Sequence, residues 1–186
     1  MKTLRKIGYL IIAVFVCFGM ASCSDDDDDD SGNGNGNATV KVGSTTFSVP
    51  YAFWHFEGTS GATGKKVVNY EFYSFNPLKS FPSSISFVGI SFDVNAGDND
   101  VASVTVPAGS YEVYIAHGVS MNSEGMQYET IYNDYSENSD LQIVRSGNNF
   151  SIKIEKAKVG DDKGRYDFSF NYSGGVTNQK IADSDI

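Results

Sequence analysis

Apolar and polar residues alternate with a period of two over much of the chain beyond residue 38. Phe150, Ile152 and Ile154 alternate with Ser151, Lys153 and Glu155, and Tyr166, Phe168, Phe170 and Tyr172 alternate with Arg165, Asp167, Ser169 and Asn171. Successive side chains of an extended strand point to opposite faces, so this pattern predicts half-buried antiparallel strands. The turn formers Gly160-Asp161-Asp162-Lys163-Gly164 lie between the two runs and predict a hairpin with a somewhat long loop. The same pattern predicts strands over 39–42, 45–49, 51–56, 67–75, 84–94, 101–106, 110–117, 127–132 and 141–145, separated by Gly, Ser, Asn and Asp. Pro50, Pro77, Pro82 and Pro107 all fall at strand ends or between strands, where a missing amide hydrogen costs least. No stretch past residue 38 sustains a helical period for three turns, and one short helix is allowed over 122–126.

Many short strands at regular spacing predict an all-β fold, an antiparallel β-sandwich of the immunoglobulin/fibronectin-like or jelly-roll kind over residues 38–186. A lipocalin-like barrel is the alternative, although Ala52-Phe53-Trp54 lacks the G-x-W signature expected near its first strand. Of the chain's thirteen Phe and eleven Tyr, eleven Phe and ten Tyr lie beyond residue 38 and with the one Trp supply the core, each ring burying roughly 150 to 250 Å² when enclosed.

The pattern before residue 38 is different. Lys2, Arg5 and Lys6 precede an uncharged run from Ile7 to Met20, which is followed by Ala21, Ser22 and Cys23. That is the layout of an export signal. As a helix the run would rise about 21 Å, short of the roughly 30 Å hydrocarbon core, so it does not suit a membrane span. Met20-Ala21-Ser22-Cys23 resembles the lipobox of bacterial lipoproteins, whose processing enzymes attach a diacylglycerol to the cysteine sulfur and cut just before it. The resemblance implies a signal peptide over 1–22 and lipidation at Cys23 with acyl chains of the palmitate class. Cys17 has Val14-Phe15-Val16 before it and no small residue at the cut, so it leaves with the signal. The mature chain then has no pair of thiols for a disulfide and no thiolate metal site.

Residues 23–37 read CSDDDDDDSGNGNGN, a composition that cannot bury enough surface to order itself and predicts a solvated tether. Cys23-Ser24 followed by Asp25 to Asp30 is similar to the surface-export signal of Bacteroidota lipoproteins, in which an acidic run follows the acylated cysteine. It implies the outer face of the outer membrane, with a periplasm-facing location as the alternative. Loss of the three signal cations takes Lys and Arg from 14 to 11 against 23 acids, a mature net charge of −12. Such a surface repels nucleic acid. A second resemblance lies further on, in Pro107-Ala108-Gly109-Ser110-Tyr111, Gly147-Asn148-Asn149-Phe150-Ser151-Ile152, Asp162-Lys163-Gly164 and Phe170-Asn171-Tyr172-Ser173-Gly174. These look like the closing strands of small, mostly uncharacterised β-sandwich lipoproteins of Bacteroidota, and they imply a fold and no activity.

Motifs that carry chemistry are missing: no G-x-S-x-G elbow, no H-E-x-x-H, no P-loop and no G-x-G-x-x-G. His55 and His117 are the two histidines, too few for a zinc site without distant carboxylates. The six aspartates lack the spaced ligands and glycine turn of a calcium loop, and of the loop-tip candidates Asp98-Asn99-Asp100 and Asp161-Asp162 the first has ligands at alternate positions but not the later glycine and glutamate. Asx turns account for the last two. Glu57, Glu71, Asp93, Glu112, Glu124 and Glu129 could pair for glycosidase chemistry, but that requires two carboxyls across a cleft, and solvent-facing strand positions are the default expectation.

Aromatic residues are the remaining signal. Tyr51, Phe53, Trp54 and Phe56 occupy both faces of one strand, and Tyr128, Tyr132 and Tyr135 lie in a polar segment. Exposed rings can stack on sugars or anchor a protein, whereas a strand apolar on both faces also suits a central strand covered on each side. Trp54, Tyr128, Tyr132 and Tyr135 are therefore candidate ligand-binding aromatics. The sequence leads to a non-enzymatic surface lipoprotein, held to the membrane by the lipid on Cys23, that binds a glycan or protein without metal or cofactor. A structural or accessory subunit of an envelope complex is the alternative, followed by an enzyme and by small-ligand carriage in a barrel cavity.

Overall fold

A computed structural model describes residues 36–79, 82–98, 101, 103–122, 125–127, 130–135, 139–161 and 164–181, with backbone alone at 121–135 and 161. The expected signal peptide, the expected lipidation residue Cys23 and the expected tether up to residue 35 lie outside the described residues.

The chain forms β1 (Gly36–Val42), β2 (Thr45–Phe47), β3 (Tyr51–Thr59), β4 (Lys66–Tyr73), β5 (Ser84–Val94), β6 (Ser103–Val106) and β7 (Tyr111–Asn122). It continues with β8 (Gly125–Gln127), β9 (Thr130–Tyr135), β10 (Leu141–Ser146), β11 (Asn149–Asp161), β12 (Gly164–Gly175) and β13 (Thr177–Asn178). β1 starts at Gly36, so the last two residues of the expected tether already pair with β12. Strand continues on both sides of residues 123–124 where a short helix was allowed, because Asn122 pairs with Gly125 across a hairpin. The β11–β12 hairpin is tighter than predicted: its pairing runs to Asp161 opposite Gly164, with two residues between them.

Two sheets result. The first has the order β2-β1-β12-β11-β10-β6, and the second has the order β13-β3-β4-β5-β7-β8, with β9 also pairing β7. Pairing is antiparallel except for the short β13–β3 pair, which is parallel, so the second sheet is mixed and not purely antiparallel as predicted. The alternation read from the sequence sets the inward faces. Ile152, Ile154, Phe168, Phe170 and Tyr172 of the first sheet share one buried cluster with Trp54, Tyr70, Phe72, Val88, Ile90 and Val113 of the second. Rings cross between the layers, with Phe72 against Phe170 at a 4.7 Å centroid separation and against Tyr172 at 5.2 Å. Burial of each such side chain stabilises the fold by about 1.5 to 3 kcal/mol.

The second sheet is apolar on its outer face as well. Phe53, Tyr73, Phe75, Ile85, Phe87, Tyr114, Ala116 and Val119 form a separate buried cluster there with Ile181, which the chain brings back after β12. β3 is thus covered on both sides, as a strand with aromatic residues on each face requires.

Candidate functional site

The register of β3, β4, β5 and β7 places two cross-strand rows side by side on the outer face of the second sheet. One row runs His55, Asn69, Ser91, Glu112 and the other runs Phe53, Glu71, Gly89, Tyr114. A bulge between Phe56 and Gly58 adds Glu57 to this face, with Gly58 at φ 145°. Bulges re-aim the side chain they displace. Here the Glu57 carboxylate accepts a hydrogen bond from Asn69 Nδ2 at 2.6 Å.

These rows form a depression of about 30 Å³, room for a couple of waters. Glu57, Asn69, Glu71, Ser91, Glu112 and Tyr114 line it, with Phe87 and Gly89. Gly89 sets its depth, because a Cβ there would stand 3.1 Å from the Phe87 ring. Phe87 in turn packs on Tyr73 at 4.9 Å and on Tyr114 at 6.1 Å between centroids, so aromatic rings wall one side. Glu71 is 4% exposed and accepts a hydrogen bond from the Tyr73 hydroxyl at 3.2 Å. The default expectation of a solvent-facing strand position therefore fails for Glu71, because the outer aromatic cluster covers it. Three carboxylates and no cation line the depression. Such a surface accepts hydrogen bonds from hydroxyl or ammonium groups.

The predicted aromatic candidates do not converge here. Trp54 is 3% exposed in the core between the sheets, stacked on Tyr70 at 6.3 Å, so its ring offers no open face to a ligand. The even-numbered positions of β3 point inward, and the covered-strand alternative describes them. Tyr128 lies outside the described residues. Tyr132 and Tyr135 belong to β9, where the backbone registers them opposite Ile115 and Glu112, and their side chains lie outside the described residues. Of the carboxylates weighed from the sequence, the structure brings together Glu57, Glu71 and Glu112. Asp93 sits apart, accepting from Thr63 Oγ1 at 2.6 Å, and Glu124 and Glu129 lie outside the described residues. Asn69, Ser91, Gly89 and Tyr114 were not singled out from the sequence, since only the strand register joins them.

The histidines separate. His117 sits in a β7 bulge facing β5, its Nδ1 2.9 Å from Ser86 Oγ. His55 is 5% exposed, with neither ring nitrogen hydrogen-bonded. Burial pushes its pKa below the usual 6.5, Lys180 lowers it further, and Glu57 opposes both. Among the described residues no group of three or more His, Cys, Asp or Glu is arranged to hold a metal ion. The Asp98 loop is a β-turn in which the Asp98 amide donates to the Asn95 carbonyl at 3.0 Å and the Asp98 carboxylate reaches back to accept from the Asn95 amide at 3.0 Å, so it is not the Asx turn expected there.

No family model matches the chain, and no curated protein or solved structure is significantly similar to it.

Proposed function

We propose that this chain is a lipoprotein tethered to the outer surface of a bacterial outer membrane through Cys23, and that its β-domain binds a glycan or protein ligand without chemically altering it. The observation that carries the binding role is the convergence of Glu57, Glu71 and Glu112 with Asn69 and Ser91 beside the Tyr114 and Phe87 rings. Acceptors placed next to aromatic edges suit a sugar, whose hydroxyls donate while its C–H face packs on carbon. They also suit a lysine or arginine of a protein partner. The depression is too small to enclose a ligand of the usual 300 Å³ or so, which favours recognition at a surface over carriage.

For the fold, we read a β-sandwich of the immunoglobulin/fibronectin-like or jelly-roll kind, antiparallel apart from the short β13–β3 pair. β5 and β7 are neighbours in one sheet while β6 lies in the other, a sheet switch that suits a sandwich better than the consecutive strand order of a lipocalin-like barrel.

Binding of the purified protein to an array of polysaccharides and to basic peptides tests the role. Glu112→Gln should weaken binding of the ligand found by about tenfold for the loss of one charge-assisted hydrogen bond, and Tyr114→Ala should weaken it through the loss of the ring surface beside the carboxylates. Binding unchanged in both variants removes this face as the site.

A further inference from the structure

After β12 the chain turns back onto the second sheet. Thr177 and Asn178 pair in parallel with Phe53 and Trp54 at the edge of β3, and Ile181 is 5% exposed in the outer aromatic cluster. Among the described residues the segment pairs with β3 over two residues and buries one apolar side chain. Beside it, His55 faces outward from the same stretch of β3, one step past Phe53. It is enclosed, and neither imidazole nitrogen has a hydrogen-bond partner among the described residues. A buried polar ring without partners is costly, and the outer face carries no other histidine among the described residues.

We propose that His55 and segment 177–181 form a proton-operated latch: addition of a proton from solvent to the buried imidazole lifts the segment off β3, baring the β3 edge and the outer aromatic cluster. A neutral imidazole tolerates this site better than a charged one, because burial penalises charge. The groups that face it set the balance. The segment contributes Lys180, whose cation repels the protonated ring, and β3 contributes Glu57, which attracts it. β4 presents uncharged Asn69 directly opposite, with Glu71 next along the same face. The Glu57 carboxylate is already engaged by the Asn69 amide. The arrangement that relieves a charged His55 is therefore one in which the segment, with Lys180, moves away and water reaches the ring. Populations follow by linkage: the open form, with its ordinary histidine, binds the proton more tightly than the closed form and gains as pH falls. This latch does not depend on the depression binding a ligand.

Amide hydrogen exchange on the purified full chain at about pH 7.5 and about pH 5.5, corrected for intrinsic rates, tests it. Peptides covering 176–181 should lose protection by about fivefold or more at the lower pH, while those covering β11 and β12 hold theirs. His55→Gln, neutral at both values, should abolish the difference. Lys180→Gln changes an exposed position without threatening the fold and should shrink it. Equal protection of 176–181 at both pH values overturns the latch. So does an equal loss across the whole chain, or an undiminished response in Lys180→Gln or His55→Gln.

Discussion

Phe47 stacks on His117 with ring centroids 4.4 Å apart and planes 18° from parallel. The two residues belong to different sheets, Phe47 to the edge strand β2 and His117 to β7. Phe47 also packs against the core cluster between the sheets, and Ser86 Oγ lies 2.9 Å from His117 Nδ1. Phe47→Ala should lower the unfolding free energy by about 2 kcal/mol. A double-mutant cycle with His117→Ala should give a coupling of about 1 kcal/mol. Urea unfolding of the two single variants and the double variant measures both, and additive losses would mean that the stack contributes nothing beyond burial.

His55 makes global stability pH-dependent in a defined direction. Its folded pKa lies below the ordinary 6.5, so as pH falls the unfolded chain takes up the proton first. The stability due to neutral His55 is fully present above 6.5 and is lost as pH drops through the folded value. Urea midpoints should therefore fall between about pH 7 and about pH 5, and His55→Gln should flatten that part of the profile. A wild-type midpoint that rises over this range would reverse the assignment.

Gly36 is the first residue of β1. A Cβ there would stand 2.6 Å from the Ser173 carbonyl oxygen and 2.7 Å from the Tyr172 ring, and the Tyr172 hydroxyl donates to the Gly175 carbonyl. The ring has little freedom to retreat, so Gly36→Ala should cost about 1 to 3 kcal/mol. Gly97→Ala, with nothing within 4 Å of its Cβ position, is the control and should change thermal unfolding far less.

The proposed lipid attachment at Cys23 predicts a simple fractionation result. Cys23→Ser should move the protein from the membrane fraction to the soluble one, because two or more acyl chains are needed for stable anchoring. Mass spectrometry of the wild-type amino-terminal peptide should show an acylated Cys23 and no residue before it. Protease treatment of intact cells should remove the domain if it faces outward.

Most of the strands were legible because period-two alternation is a local property. β5 was predicted over its full length, and the β11–β12 hairpin follows from one alternating run on each side of a turn. Strand ends were less legible, since the long β7 continues past His117 through a bulge at His117 and Gly118 that lets it bend and keep pairing. The second layer over β3 and β4 was hinted at only by aromatic residues on both faces. The return of Ile181 onto that face left no periodic signal, because a two-residue strand is too short to produce one.

The sequence alone determined where most of the strands lie, that the fold is all-β, and that aromatic residues supply much of the core, because side-chain alternation and turn chemistry act within a few residues. The tertiary structure decided which carboxylates meet, that Trp54 turns inward, and that His55 is buried. Those facts depend on register between strands up to tens of residues apart. Register is fixed by the packing of two sheets, not by any local pattern.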